Sequence, residues 1–163
     1  MPDPLDSDQG DRNQDRDREG VDRFDLHRFV LAQDRGATYL RALAELRAAR
    51  KTGHWMWFVF PQLSGLGRSP TAETYAISSL EEARAYLAHD VLGPRLIEAA
   101  EAILEHTGRT AEQILGPVDA LKLRSSMTLF ARADPGRPVF AAVLERFYAG
   151  RPDPLTDARL GTG

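Results

Sequence analysis

The sequence predicts an all-α fold, a compact orthogonal bundle of about six or seven helices, several of them short, behind a disordered acidic N-terminal tail. Three observations lead there. Apolar residues recur at three- and four-residue spacing in most segments after residue 25. Ser, Thr, Asp and Pro stand where those segments open, and Gly and Pro where they close. The single stretch of strand-like composition has no second stretch to pair with.

Residues 1–24 read as the tail and 25–160 as one helical domain. The first 20 residues hold seven acids against three arginines, so they carry −4 of a formal net charge of −3 and the remainder is +1. Apolar residues are too few there to offset the entropy of ordering. From Asp25, which can cap, Leu26, Phe29 and Val30 begin a helical period. Tyr39, Leu40, Leu43 and Leu46 continue it beyond Gly36, for one or two helices ending near Arg50.

The run 55–60 is six consecutive apolar residues closed by Pro61. A lone strand would leave its ladder hydrogen bonds unmade, so the run reads as a buried irregular or short helical connection. Ser69 and Pro70 open a short helix over 71–77. Ser79 with Glu82 has capping-box spacing ahead of a helix over 80–88. Asp90 can cap the run 91–106, where Leu92, Leu96, Ala99, Ala100 and Ile103 form a stripe.

Thr110 with Gln113 repeats the box before a short segment at Ile114 and Leu115. Gly116 and Pro117 then open a helix through about Arg132. Beyond the breakers Pro135, Gly136 and Pro138, the residues Val139, Phe140, Val143, Leu144 and Phe147 give a last amphipathic helix ended by Gly150, with one more turn after Pro154.

Composition narrows the function classes. The chain has no cysteine, which removes disulfide frameworks, thiolate metal sites and cysteine nucleophiles. No apolar run approaches the ~20 residues that span a bilayer, and the polar start is unlike a signal peptide, so a cytoplasmic protein without a membrane partner is expected. A nearly neutral folded part speaks against strong nucleic-acid binding. His27, His54, His89 and His106 show no ligand spacing, so no metal is assigned. Glu81 and Glu82 are adjacent and diverge on a helix, which gives no catalytic carboxylate pair. No cofactor or oligomeric state follows from these residues.

Two segments concentrate chemistry. The passage KTGHWMWFVFPQLSGLGRS, residues 51–69, holds both tryptophans with Lys51, His54, Gln62, Arg68 and Ser69. Its glycine loop runs into a helix start, an arrangement that can face an anion, although it matches neither a Walker loop nor a dinucleotide fingerprint. In LKLRSSMTLF, residues 121–130, Lys122, Ser125 and Ser126 share one helical face. The expected ligand-binding set is Lys51, His54, Trp55, Trp57, Gln62, Arg68, Ser69, Lys122 and Ser125, with His54 also the candidate catalytic acid or base. The competing reading makes the aromatics core and the polar groups caps and solvated surface.

Three stretches taken in order, HWMWFVFPQLSGLGRS, TYAISSLEEARAYLAHDVLGPRL and DALKLRSSMTLF, resemble a bacterial family catalogued as domain of unknown function 1810, sometimes labelled calpastatin. The resemblance runs from about residue 25 to 160. It implies a small all-α cytoplasmic protein and brings no catalytic residues with it; nothing in the chain is like a protease-inhibitor repeat. In the order of Tyr75, Ala83, Met127, Phe147 and Asp153 the chain is also loosely similar to the NAD and ADP-ribose associated superfamily. That similarity implies N-glycosidic bond cleavage or ADP-ribose binding, but the sequence does not show the acidic residue that would stabilise an oxocarbenium-like transition state.

The expectation is therefore a module binding a small anionic ligand, a nucleotide or phosphorylated metabolite. The alternatives are an enzyme acting on an ADP-ribose-like or other N-glycosidic substrate, and a protein-interaction module with no small-molecule ligand.

Overall fold

The computed structural model describes residues 22–161, so nearly all of the expected tail lies outside the described residues. Within them the chain is all-α. In order the helices are α1 (His27–Asp34), a 3-10 turn (Arg35–Ala37), α2 (Thr38–Arg47), α3 (Met56–Val59), α4 (Pro70–Thr74), α5 (Leu80–Ala88), α6 (Leu92–Leu104), α7 (Ala111–Leu115), α8 (Pro117–Ala133), α9 (Pro138–Tyr148) and α10 (Pro154–Leu160). Among the described residues six of these helices have eight residues or more and four are shorter.

The starts of α4, α7 and α8 use the residues read from the sequence. Ser69 Oγ accepts the N–H of Ala72 at 3.1 Å, and Thr110 with Gln113 forms both bonds of a capping box. Caps of this kind contribute about 1 kcal/mol each. Three starts differ from expectation. Asp22, not Asp25, receives the N–H of Leu26, at 2.5 Å, while Asp25 turns the backbone at φ 52°. His89 Nδ1, not Asp90, accepts the N–H groups of Val91 at 3.1 Å and Leu92 at 3.2 Å. Ser79 Oγ caps Glu82 N at 3.1 Å, but the Glu82 carboxylate completes no box: it accepts from Ser78 Oγ at 2.8 Å and from Arg28 at 3.0 Å.

The apolar run 55–60 makes one helical turn, α3, with Trp55, Met56, Val59 and Phe60 buried. The chain then extends past Ile77, forming an isolated parallel bridge between Leu63 and Ile77, so the helix expected over 71–77 stops at Thr74 and Ile77 pairs as extended backbone instead. Ile77 N donates to Gln62 O and Ser64 N to Ile77 O, both at 2.8 Å. This bridge fixes the backbone of Gln62.

Helix α8 lies at the centre, packed by α5, α7, α9 and α10. It buries Leu123, Met127, Leu129 and Phe130 together with Ser125, Ser126 and Thr128. Its hydroxyls are small enough for close packing: Thr128 Oγ1 bonds back into the helix, donating to Arg124 O at 2.8 Å, and Ser125 Oγ lies 3.2 Å from Leu121 O. An aromatic series crosses the core from α1 to α9, through Phe29 and Tyr86 at 5.2 Å, Tyr86 and Phe130 at 5.4 Å, and Phe130 and Phe140 at 5.8 Å between ring centroids. Edge and tilted pairs at such separations add to what burial alone contributes. No helix among the described residues is long and apolar enough to cross a membrane.

Candidate functional site

Along the first half of α8, Val118, Leu121, Lys122 and Ser125 stand at i, i+3, i+4 and i+7, which places them on one face. That face is one wall of a cleft of about 340 Å³. Trp57 of α3 and Gln62, Leu66 and Gly67 of the following connection also line it, as do Asp153 and Leu155 at the start of α10. Val118, Leu121 and Leu155 are 64%, 65% and 67% exposed, and they are three of the five large hydrophobic residues exposed among the described residues. Single exposed leucines are ordinary, whereas three gathered around one concavity mark a surface suited to an apolar or planar group.

Gly67 is required by this wall. A Cβ there would stand 2.6 Å from the Ala72 Cβ and 3.7 Å from the Trp57 ring.

A shared carboxylate organises the cationic side of the cleft. Asp119 accepts from Lys51 Nζ at 2.8 Å and from Lys122 Nζ at 3.2 Å. Burial acts to raise the Asp119 carboxyl, but the hydrogen bonds and charges of Lys51 and Lys122 outweigh it and hold it below the ordinary carboxylate range. Two ammonium groups on one carboxylate leave a surplus positive charge. Lys51 is nearly buried and Lys122 stands at the cleft, so the surplus faces the cleft through Lys122. Its Nζ also lies 3.7 Å from the centroid of the Trp57 ring, within cation–π range.

Asp153 forms the acidic side. Its Oδ2 accepts from Ser125 Oγ at 3.1 Å, Thr156 N at 3.1 Å and Thr156 Oγ1 at 2.6 Å. Its own N–H donates to Thr128 Oγ1 at 2.8 Å. Ser125 is therefore a link between α8 and Asp153, and its position in the cleft comes with that bond already made.

Gln62 supplies the feature least explained by folding. The residue lines the cleft, yet its Nε2 is buried with no hydrogen-bond partner. An unpaired buried donor costs roughly 1–3 kcal/mol, a cost that a turn of the amide toward an acceptor in the cleft would relieve.

The structure thus brings Trp57, Gln62, Lys122 and Ser125 to one cleft, with Lys51 behind them through Asp119. Trp55 is 2% exposed and belongs to the core; its Nε1 donates to Glu45 Oε1 at 3.1 Å. His54 and Arg68 are exposed and do not line the cleft, and Ser69 is engaged as the α4 cap. Asp119, Asp153, Val118, Leu121 and Leu155 were not singled out from the sequence as members of a site. For the α8 residues a signal existed, because apolar Val118 and Leu121 share the face of Lys122 and Ser125. Nothing local to α10 pointed toward α8.

Glu45, also unread in the sequence, holds the backbone that leads into α3. Besides Trp55 its Oε1 takes the N–H groups of Gly53 at 2.7 Å and Thr52. Burial would raise this carboxyl; those three donors together lower it.

A larger cleft, about 490 Å³, is lined by Leu63, Ser64, Ser78, Ser79, Leu80, Glu81, Arg84, Arg159 and Leu160. Its arginines are already turned to backbone carbonyls, Arg84 Nε to Ala133 O at 3.3 Å and Arg159 Nε to Ser64 O at 2.9 Å. It has no aromatic wall and no orphaned buried donor. No group of three His, Asp or Glu side chains able to hold a metal ion occurs among the described residues.

Comparison with known proteins gives two matches. The family model described as "Protein of unknown function (DUF1810)" matches residues 23–160. A crystal structure of the conserved hypothetical protein Rv1873 from Mycobacterium tuberculosis is 56% identical, covers 86% of this chain and 99% of that chain, and superposes with a TM-score of 0.82. No curated protein matches.

Proposed function

The chain belongs to the DUF1810 family of proteins of unknown function, and from that premise we propose that it binds a small anionic ligand, a nucleotide or phosphorylated metabolite, in the cleft between Trp57, α8 and the start of α10. The observation that carries the reading is the buried, unpartnered Nε2 of Gln62 in a cleft whose rim exposes Val118, Leu121 and Leu155. With its amide turned into the cleft that donor would meet a ligand oxygen, and the rim suits a flat or apolar surface. Lys122 provides the charge, since Asp119 is already neutralised by Lys51.

One face of the Trp57 ring is taken by Lys122, so the ligand's planar part rests chiefly on the rim side chains. His54 and Arg68 have no part in this arrangement. A cytoplasmic location belongs to the same reading.

The test is a thermal-shift and calorimetric screen of nucleoside phosphates and sugar phosphates. A ligand at 100 times its Kd stabilises the fold by about 2.7 kcal/mol. Binding that is lost in Lys122→Met and in Gln62→Leu but kept in His54→Gln is the expected result. Silence across the panel, or binding indifferent to both cleft substitutions, would remove the proposal and leave the rim as a surface for a protein partner.

A second reading is an enzyme acting on the N-glycosidic bond of an ADP-ribose-like substrate. It gains support from Asp153, which brings to the cleft the carboxylate that an oxocarbenium-like transition state needs. Chromatographic release of the free base from ADP-ribose-type substrates, abolished by Asp153→Asn, is its expected signature; no release with any bound substrate would end it.

A further inference from the structure

Asp153 is built into the cleft in a way that α10 alone does not require. An N-cap needs one carboxylate oxygen to receive one N–H. Here Oδ2 takes that N–H from Thr156 and two hydroxyls besides, from Thr156 and Ser125. The backbone of Asp153 is anchored to Thr128 Oγ1 at 2.8 Å. Every fixed contact thus falls on Oδ2 or the main chain, and no donor among the described residues bonds Oδ1. The result is an immobilised carboxylate in a lined cleft with one acceptor oxygen unused.

That oxygen decides what kind of anion the cleft takes. An isolated phosphate brought beside Asp153 would meet a like charge. A ligand that carries its negative charge toward Lys122 and presents neutral donors to Asp153 has no such conflict. Vicinal sugar hydroxyls are the donors that pair best with one held carboxylate, the same chemistry by which an acidic residue recognises a ribose in dinucleotide-binding folds.

We infer that Asp153 is the ribose-recognising residue of the cleft, so that its ligand is a ribonucleotide whose vicinal hydroxyls donate to Asp153 while its phosphate meets Lys122 and its base lies against Leu121 and Leu155. This rests on the ligand-binding reading above and makes it specific. Sugar-free phosphates and deoxygenated nucleotides are excluded as ligands of comparable affinity.

Asp153→Asn is the informative change, because Asn caps helices as well as Asp does. Its carbonyl can keep the three donors at Oδ2, which leaves an amide N–H2 where the unused acceptor was. The experiment titrates the full-length protein and this variant with the four ribonucleoside 5′-monophosphates and their 2′,3′-dideoxy counterparts, with the thermal midpoint of each unliganded protein measured alongside.

The expected result is that at least one ribonucleotide binds wild type about tenfold or more tightly than its dideoxy counterpart, a difference that Asp153→Asn erases by weakening only the ribonucleotide. Equal binding of both forms to wild type, or an Asp153→Asn protein that keeps the preference, overturns the role of Asp153 while leaving the ligand-binding reading standing. Failure of every nucleotide to bind wild type overturns both. Should Asp153→Asn lower the thermal midpoint, Asp153→Ser serves beside it: serine also caps helices but carries no carboxylate, and a folded Asp153→Ser protein that keeps the ribose preference overturns the inference.

Discussion

The ammonium of Lys122 lies 3.7 Å from the centroid of the Trp57 ring and 3.2 Å from the Asp119 carboxylate, so one side chain ties α3 to α8 across the cleft. Each contact is modest alone, about 0.5–1 kcal/mol for a partly exposed cation over an aromatic face.

Lys122→Met should lose both charge contacts and with them the tether that holds the side chain over Trp57. Stability should fall by about 1 kcal/mol, because Asp119 retains Lys51. The ring should then become easier to reach, and the change should report on Trp57 because Trp55 is buried. Acrylamide quenching of tryptophan emission checks this: stronger quenching in Lys122→Met than in wild type is expected, and identical quenching would show that the lysine does not cover the ring.

Asp119 gives the fold an acid-sensitive joint. Its folded carboxyl is depressed by Lys51 and Lys122 against the opposing effect of burial. A depressed carboxyl contributes stability that is fully present above its unfolded pKa, about 3.9, and is lost as pH falls through the lower folded value. Asp119→Asn should therefore flatten the acid limb of stability against pH below about 4. At pH 7 it should lower stability by about 3 kcal/mol, because it leaves the nearly buried Lys51 without its counter-ion. Urea unfolding from pH 3 to 7 measures both; an unchanged acid limb would mean that the lysines do not hold this carboxyl ionised.

The helices were legible because their signals are local. Thr110 and Gln113, Ser69 and Pro70, and the stripe from Leu92 to Ile103 each lie within a few turns, and the structure uses them as read. The swapped caps at Asp22 and His89 show the limit of such signals, since several polar residues near a helix start can compete for the same N–H groups. The cleft was half legible. Lys122 and Ser125 could be placed on one face by spacing, and the aromatic passage stood out by composition. Their partner Asp153 lies 28 residues from Ser125 in sequence, and only the packing of α10 on α8 joins them. Glu45 and Arg28 were missed for the same reason, as their work is done on backbone groups that no motif marks.

Arg28 is the clearest of these. Its guanidinium donates to Phe24 O at 2.7 Å, Asp25 O at 2.9 Å, Thr74 O at 2.9 Å, Ala76 O at 2.8 Å and Glu82 Oε2 at 3.0 Å. It thereby clamps the start of α1 to the end of α4 and the start of α5. Lysine keeps the charge but lacks the planar fork that reaches these directions at once. Arg28→Lys should cost about 2 kcal/mol, given that single hydrogen bonds to a charged group are worth roughly 1.5–3. For a domain of this size that is a fall of roughly 4–8 °C in Tm. A variant melting within a degree of wild type would show that the clamp is dispensable.

Gly93 tests the tight passage from α5 into α6. By helix propensity alone, alanine in the first turn of α6 should be favourable by up to about 1 kcal/mol. Sterics oppose this, for a Cβ at Gly93 would stand 2.1 Å from the carbonyl oxygen of Leu87. That oxygen is backbone at the end of α5 and cannot swing away as a side-chain tip could. The two helices would have to separate, and overpacking of this kind costs about 1–3 kcal/mol or more. Gly93→Ala should therefore destabilise by at least 2 kcal/mol, whereas Gly108→Ala, with nothing within 4 Å of its added Cβ, should be neutral or raise stability by a few tenths of a kcal/mol by restricting the unfolded chain. Paired denaturation curves decide it: if Gly93→Ala were as stable as Gly108→Ala, propensity would have outweighed sterics and the close approach of Leu87 to α6 could not be real.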